Sequence, residues 1–218
     1  SPQLLMLSGI GDSAALARHG IPTVQHLPGV GQNLQDHVDT WIKFRAKSRV
    51  PYGISWGALA ANIGHVFNWI FRRRGAFSST TSEGAAFLST DPKIDRPDIQ
   101  LFFNVSLGTV QDANSVFGHG WLVHVCDLRP QSRGHVRLKS ADPDEAPEIL
   151  FNFFRGRSTT KVLVEGLKRV RQIMAQPEFE EHLASEIAPG PEVTTDEALE
   201  VYVRDNCATI YHPVGTCR

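Results

Sequence analysis

Cysteine is scarce: Cys126, Cys207 and Cys217 are the only three in 218 residues, an odd number with no metal-like spacing. That argues against a disulfide framework or a zinc site and points to a reducing compartment, so the expected location is cytoplasmic. No apolar run approaches the ~18 residues that a membrane-spanning helix needs. An excess of one charge is also missing, since 22 Lys and Arg face 23 Asp and Glu for a net charge of −1. Nucleic acid is therefore not an expected partner. The start, Ser1-Pro2-Gln3-Leu4-Leu5, has neither an initiator methionine nor a basic leader. Both ends read as cuts in a longer protein.

With 41% hydrophobic and 21% charged residues, the chain can bury a substantial core. Its clearest helix is Thr159 to Gln176, where Leu163, Leu167, Val170 and Met174 make one stripe. A second runs from Ser55 to Arg74, with Leu59, Ile63, Val66, Phe67 and Ile70 at helical spacing and three arginines at its C-terminal end. The expectation is a globular helix with one core face; with Trp56 and Trp69 nearby, the alternative is a helix lying on a membrane surface. Thr194-Thr195-Asp196-Glu197 has the form of a capping box opening a last helix. Asp12 and Ser13 offer caps to a short early one. Strands are expected over 38–47, 82–89, 98–105, 120–128, 133–140 and 148–151, and Ile21 to Val24 reads as a short one. Helices beside ladder strands make the fold class α+β, with an antiparallel sheet backed by helices.

The residues with chemical potential are few. Gly9-Ile10-Gly11 and Gly29-Val30-Gly31 each supply half of a G-x-G-x-x-G fingerprint, but positions 14 and 34 are Ala and Leu, so both read as turns. His119, His124 and His135 cluster loosely, on what read as different strands, without a metal motif, so no metal is expected. Glu83 sits in the small-residue stretch Thr80-Thr81-Ser82-Glu83-Gly84-Ala85-Ala86, where it either faces a pocket or stands exposed on a strand. His212, in Tyr211-His212-Pro213-Val214-Gly215-Thr216-Cys217-Arg218, precedes a proline and a glycine that together aim and then turn the chain.

Three of these stretches in order resemble the glucose–methanol–choline oxidoreductases, flavoproteins that oxidise alcohols. They are Ser1 to Gly11, Leu27-Pro28-Gly29-Val30-Gly31-Gln32-Asn33-Leu34-Gln35-Asp36-His37, and Tyr211 to Arg218. Ser132-Arg133-Gly134-His135-Val136-Arg137-Leu138 adds to the likeness, which is nearest the choline-dehydrogenase-like branch. The resemblance implies that 1–37 end an FAD-binding section, that 38–130 begin a substrate domain, and that 131–218 are a truncated C-terminal region. It implies FAD as cofactor, a small alcohol as substrate, and oxygen or a quinone as electron acceptor, with peripheral membrane contact as a further partner. His212 becomes the base that removes the hydroxyl proton while the flavin accepts the hydride. Glu83 becomes a substrate-binding carboxylate, and Asn33 and Pro213 become cofactor-binding residues. The alternative from another class is a non-catalytic domain of the same fold that binds a ligand or partner.

Overall fold

The computed structural model describes residues 1–108, 117–155 and 158–218. In chain order the elements are α1 (Pro2–Leu7), β1 (Ile10–Gly11), α2 (Ser13–Ala17), β2 (Gln25–His26), β3 (Gln32–Leu34), β4 (Val38–Ala46) and β5 (Gly53–Ile54). A 3-10 turn at Trp56–Ala58 leads into α3 (Leu59–Arg72), and β6 (Ser82–Leu88), β7 (Ile99–Asn104), β8 (Gly118–Asp127), β9 (Gly134–Arg137) and β10 (Glu148–Leu150) follow. The chain closes with α4 (Ser158–Met174), α5 (Pro177–Glu180), β11 (Leu183–Ala188), α6 (Asp196–Asp205) and β12 (Cys207–Thr209). These elements form two compact units, one of 1–38, 129–159 and 209–218, the other of 39–128 and 160–208.

The larger unit is built on a seven-stranded sheet whose main path runs β11-β4-β8-β7-β6, with β12 also on β4 and β5 also on β8. The pairs β11–β4, β7–β8 and β6–β7 are all antiparallel. β8 is central and reads Trp-Leu-Val-His-Val-Cys without alternation, because both of its faces are covered. α4 covers one of them with the stripe the sequence shows: Leu163, Leu167, Val170 and Met174 are all buried. Gly166 sets how close that helix comes, since a Cβ there would stand 2.3 Å from Val125 Cγ1 of β8. α4 is also pinned to β11 by Arg171, which donates to both carboxylate oxygens of Glu186 at 3.0 and 2.8 Å. Tyr202 on α6 donates its hydroxyl to the Trp41 carbonyl of β4 at 2.9 Å.

The smaller unit packs Met6, Leu16 and Val30 into a core flanked by Leu5, Ile10, Ile21 and Leu138. A three-stranded sheet, β10-β9-β3, borders it, and β1 pairs with β2 in parallel. Gly31 has φ +80 and its missing Cβ leaves room for the Val136 carbonyl, which would otherwise lie 2.3 Å away.

Several local expectations shift. The segment from 21 to 24 is not a strand; pairing begins one residue later, at Gln25. β11 was not expected at all. The last helix is capped by Thr195, whose hydroxyl accepts from the Ala198 amide at 3.2 Å, so the box with Thr194 and Glu197 gives way to a single cap one residue on. Thr195→Ala is expected to lower stability by about 1 kcal/mol in urea unfolding. Ser55 does not cap either; its hydroxyl meets His119 Nε2 at 2.9 Å. The largest correction is α3, which has no buried residue, so the expected core stripe is turned outward.

Candidate active site

In the smaller unit two segments far apart in sequence run antiparallel. The Gln35 amide donates to the Val214 carbonyl at 3.0 Å and the Val214 amide to the Gln35 carbonyl at 2.8 Å. Gly31 donates to Thr216 at 2.8 Å, and Val30 bridges Cys217. The stretch from 29 to 35 thus holds the chain end that carries His212. Gly215, at φ +91, is required by the closeness of this pairing, because a Cβ there would lie 2.5 Å from the Asn33 carbonyl oxygen. Asn33 itself is left-handed, φ 62, and its side-chain amide donates to the Gly215 carbonyl at 3.3 Å.

His212 is placed by a buried carboxylate. Asp36 is 4% exposed and accepts the His212 amide on Oδ1 at 3.0 Å and the Thr209 hydroxyl on Oδ2. The same Thr209 hydroxyl accepts the Tyr211 amide at 2.9 Å, and Tyr211 takes the left-handed φ of 66 that turns the chain into His212. With one carboxylate and one hydroxyl satisfying this bend, its backbone is fixed while the imidazole stays at the surface. The imidazole meets His37: the two Nδ1 atoms are 3.3 Å apart and the rings meet edge-on, 5.3 Å between centroids. When His212 Nδ1–H is the donor of that contact, Nε2 keeps its lone pair and is the basic nitrogen. Beside it Pro213 and Val214 are exposed, giving an apolar ledge.

The structure therefore brings His212, Pro213 and Asn33 together. Glu83 belongs to the other unit. It is exposed on β6 and accepts the Ser79 hydroxyl at 2.8 Å. His119 and His124, expected on different strands, share β8. Among the described residues no cluster of His, Cys, Asp or Glu could hold a metal ion.

Two groups were missed in the sequence. One is Asp36 as the anchor of the bend. The other lies in the larger unit, where Asp39 of β4 is fully buried and its Oδ2 meets His124 Nδ1 of β8 at 2.5 Å. Burial pushes the Asp39 carboxyl pKa up, against the hydrogen bond and charge of His124, which pull it down. Among the described residues Asp39 Oδ1 has no hydrogen-bond partner. The Trp41 ring meets His124 edge-on, 6.3 Å between centroids.

Residues 130–218 match the family model described as GMC oxidoreductase. This stretch is a GMC oxidoreductase C-terminal region. Across its whole length the chain is 40% identical to an alcohol dehydrogenase [acceptor] of Pseudomonas putida and 37% identical to an oxygen-dependent choline dehydrogenase of Escherichia coli O127:H6 (strain E2348/69 / EPEC). It spans 40% and 39% of those two proteins. Among solved structures, a formate oxidase of Aspergillus oryzae RIB40, solved for the effect of mutation on FAD modification, superposes with a TM-score of 0.85. That match is 28% identical and covers 100% of this chain and 42% of the oxidase. The formate oxidase thus shares the mixed architecture of antiparallel sheet and helices.

Proposed function

We propose that the full-length protein oxidises an alcohol to a carbonyl compound with FAD, and that His212 is the base. The observation that carries this reading is the bend at 209–213: a buried carboxylate fixes the backbone of a histidine whose ring remains accessible. An alcohol loses a proton from oxygen and a hydride from carbon. The chemistry FAD supplies when bound is acceptance of that hydride, which no side chain provides. The residues present suit a flat ring system: Pro213 and Val214 offer an exposed apolar ledge beside the imidazole. Pro213 and Asn33 would hold the cofactor on this side, Asn33 while tying down the Gly215 carbonyl. His212 Nε2 takes the hydroxyl proton, and His37, at Nδ1, keeps the ring oriented.

Glu83 is proposed as a substrate contact, supported by its exposed carboxylate on β6. The electron acceptor is oxygen or a quinone. Peripheral membrane contact belongs to the same proposal, since electrons could then pass to a quinone dissolved in the bilayer. The test is to purify the full-length protein and add a primary alcohol without oxygen. The expected result is a yellow protein whose visible flavin absorbance bleaches on mixing. A colourless product, or a flavin that no alcohol reduces, overturns the reading.

A further inference from the structure

α3 is built the wrong way round for a helix of a water-soluble core. At about 100° per residue, Leu59, Ile63, Phe67, Ile70 and Phe71 fall within one arc of about 120°, and all five are exposed, between 50% and 76%. The opposite side carries Asn62, His65, Asn68 and Trp69, and these are the half-buried positions. Their contacts run inward: Asn62 donates its amide to the Gly53 carbonyl at 3.1 Å, and His65 meets the Tyr52 ring edge-on at 6.1 Å. Trp56, just before the helix, is 86% exposed, and Phe77, just after it, is 57% exposed.

The sequence leading into and out of this helix carries charge of one sign. From Thr40 to Ser82 the sequence holds seven Lys and Arg and no Asp or Glu, although the whole chain is almost neutral. Arg72, Arg73 and Arg74 close the helix, and Arg73 lies over the Trp69 ring, 5.3 Å from its centroid. Arg45, Lys47 and Arg49 donate to the carbonyls of Phe117, Glu180 and Gly57. Among the described residues no helix is long and apolar enough to cross a membrane. A helix with an aromatic-rich apolar arc, a single-sign basic flank and modest length suits the plane of a bilayer interface. The arginines can lay their stems along the apolar zone and leave their guanidinium groups among phosphates.

We infer that α3, with Trp56 and the Arg72–Arg74 run, is the surface by which the protein docks on a membrane containing anionic lipids. The inward-facing polar side and the outward apolar side are explained together, because the apolar arc meets acyl chains. A neutral bilayer offers the arc a place but leaves the cationic flank without counter-charge, so binding depends on both.

Co-sedimentation of the full-length protein with vesicles tests this. It is expected to pellet with vesicles of equal parts phosphatidylcholine and phosphatidylglycerol, to stay in solution with phosphatidylcholine alone, and to be released by salt. The triple variant R72Q/R73Q/R74Q is expected to lose on the order of 100-fold in partitioning, and F67S/F71S about tenfold or more. Because the arginine variant changes only exposed charges, it remains readable if the phenylalanine variant misfolds. Full-length protein that stays in solution with the anionic vesicles overturns the inference and leaves the redox reading intact. So does a face covered by the rest of the chain, seen as no vesicle binding together with a sharp loss of thermal stability in F67S/F71S. A second copy on this face, seen as a dimer that F67S/F71S splits and that vesicles do not bind, overturns it too.

Discussion

His212→Ala in the full-length protein is expected to lower alcohol turnover by about 10² to 10⁴-fold, the usual contribution of a positioned base. Flavin content and the folded state should remain as in the wild type. The reason lies in how the residue is held. Its backbone amide, not its ring, satisfies Asp36 Oδ1, so alanine keeps the contact that fixes the bend. The ring is exposed and contributes no core packing, so its removal leaves no cavity. Loss of rate with retained flavin and retained melting temperature therefore isolates proton removal. Added imidazole should restore part of the rate. Near-normal turnover in His212→Ala would take the residue out of the mechanism. Replacing Asp36 instead should act on both rate and stability, because its carboxylate holds two donors that would be left without an acceptor.

The contrast between these two residues shows what the sequence discloses. His212 is legible because a proline and glycine beside it mark a turn, and because its motif resembles that of a known family. Asp36 is not, since its partner lies 176 positions away and no spacing rule connects them. The same division runs through the fold. β7, β8 and α4 are legible from apolar pattern because each buries the residues that form the pattern. In α3 the period was right and the direction wrong. Periodicity reports that a helix has an apolar face, but not whether protein or something else covers it. β11 escaped because Leu-Ala-Ser-Glu-Ile-Ala has little β-branching and its place is set by the Arg171–Glu186 pair and by β4. Pairing with distant partners, rather than local propensity, decided each of these.

The buried pair in the larger unit supplies the other large effect. Asp39→Ala is expected to cost about 1–3 kcal/mol in urea unfolding, as leaving a buried polar group without its hydrogen-bond partner does. His124 Nδ1 would be left in the sheet interior without its acceptor, and β4 and β8 would lose their side-chain tie. Asp39→Asn should be far milder, because an amide can still hydrogen-bond to the imidazole without carrying a charge into the core. The two variants should also differ in pH dependence, and the sign follows from burial. The folded state raises the Asp39 carboxyl above its unfolded value, so the folded protein binds the proton more tightly than the unfolded chain does. Stability from this group is complete below the unfolded value of about 4 and is lost as pH rises through the folded value. The substituted amide has no proton to lose there, so Asp39→Asn should gain on the wild type across that window and then run parallel to it. Unfolding curves of the two proteins that stay parallel from acid to neutral pH would mean that His124 offsets the desolvation of Asp39 completely.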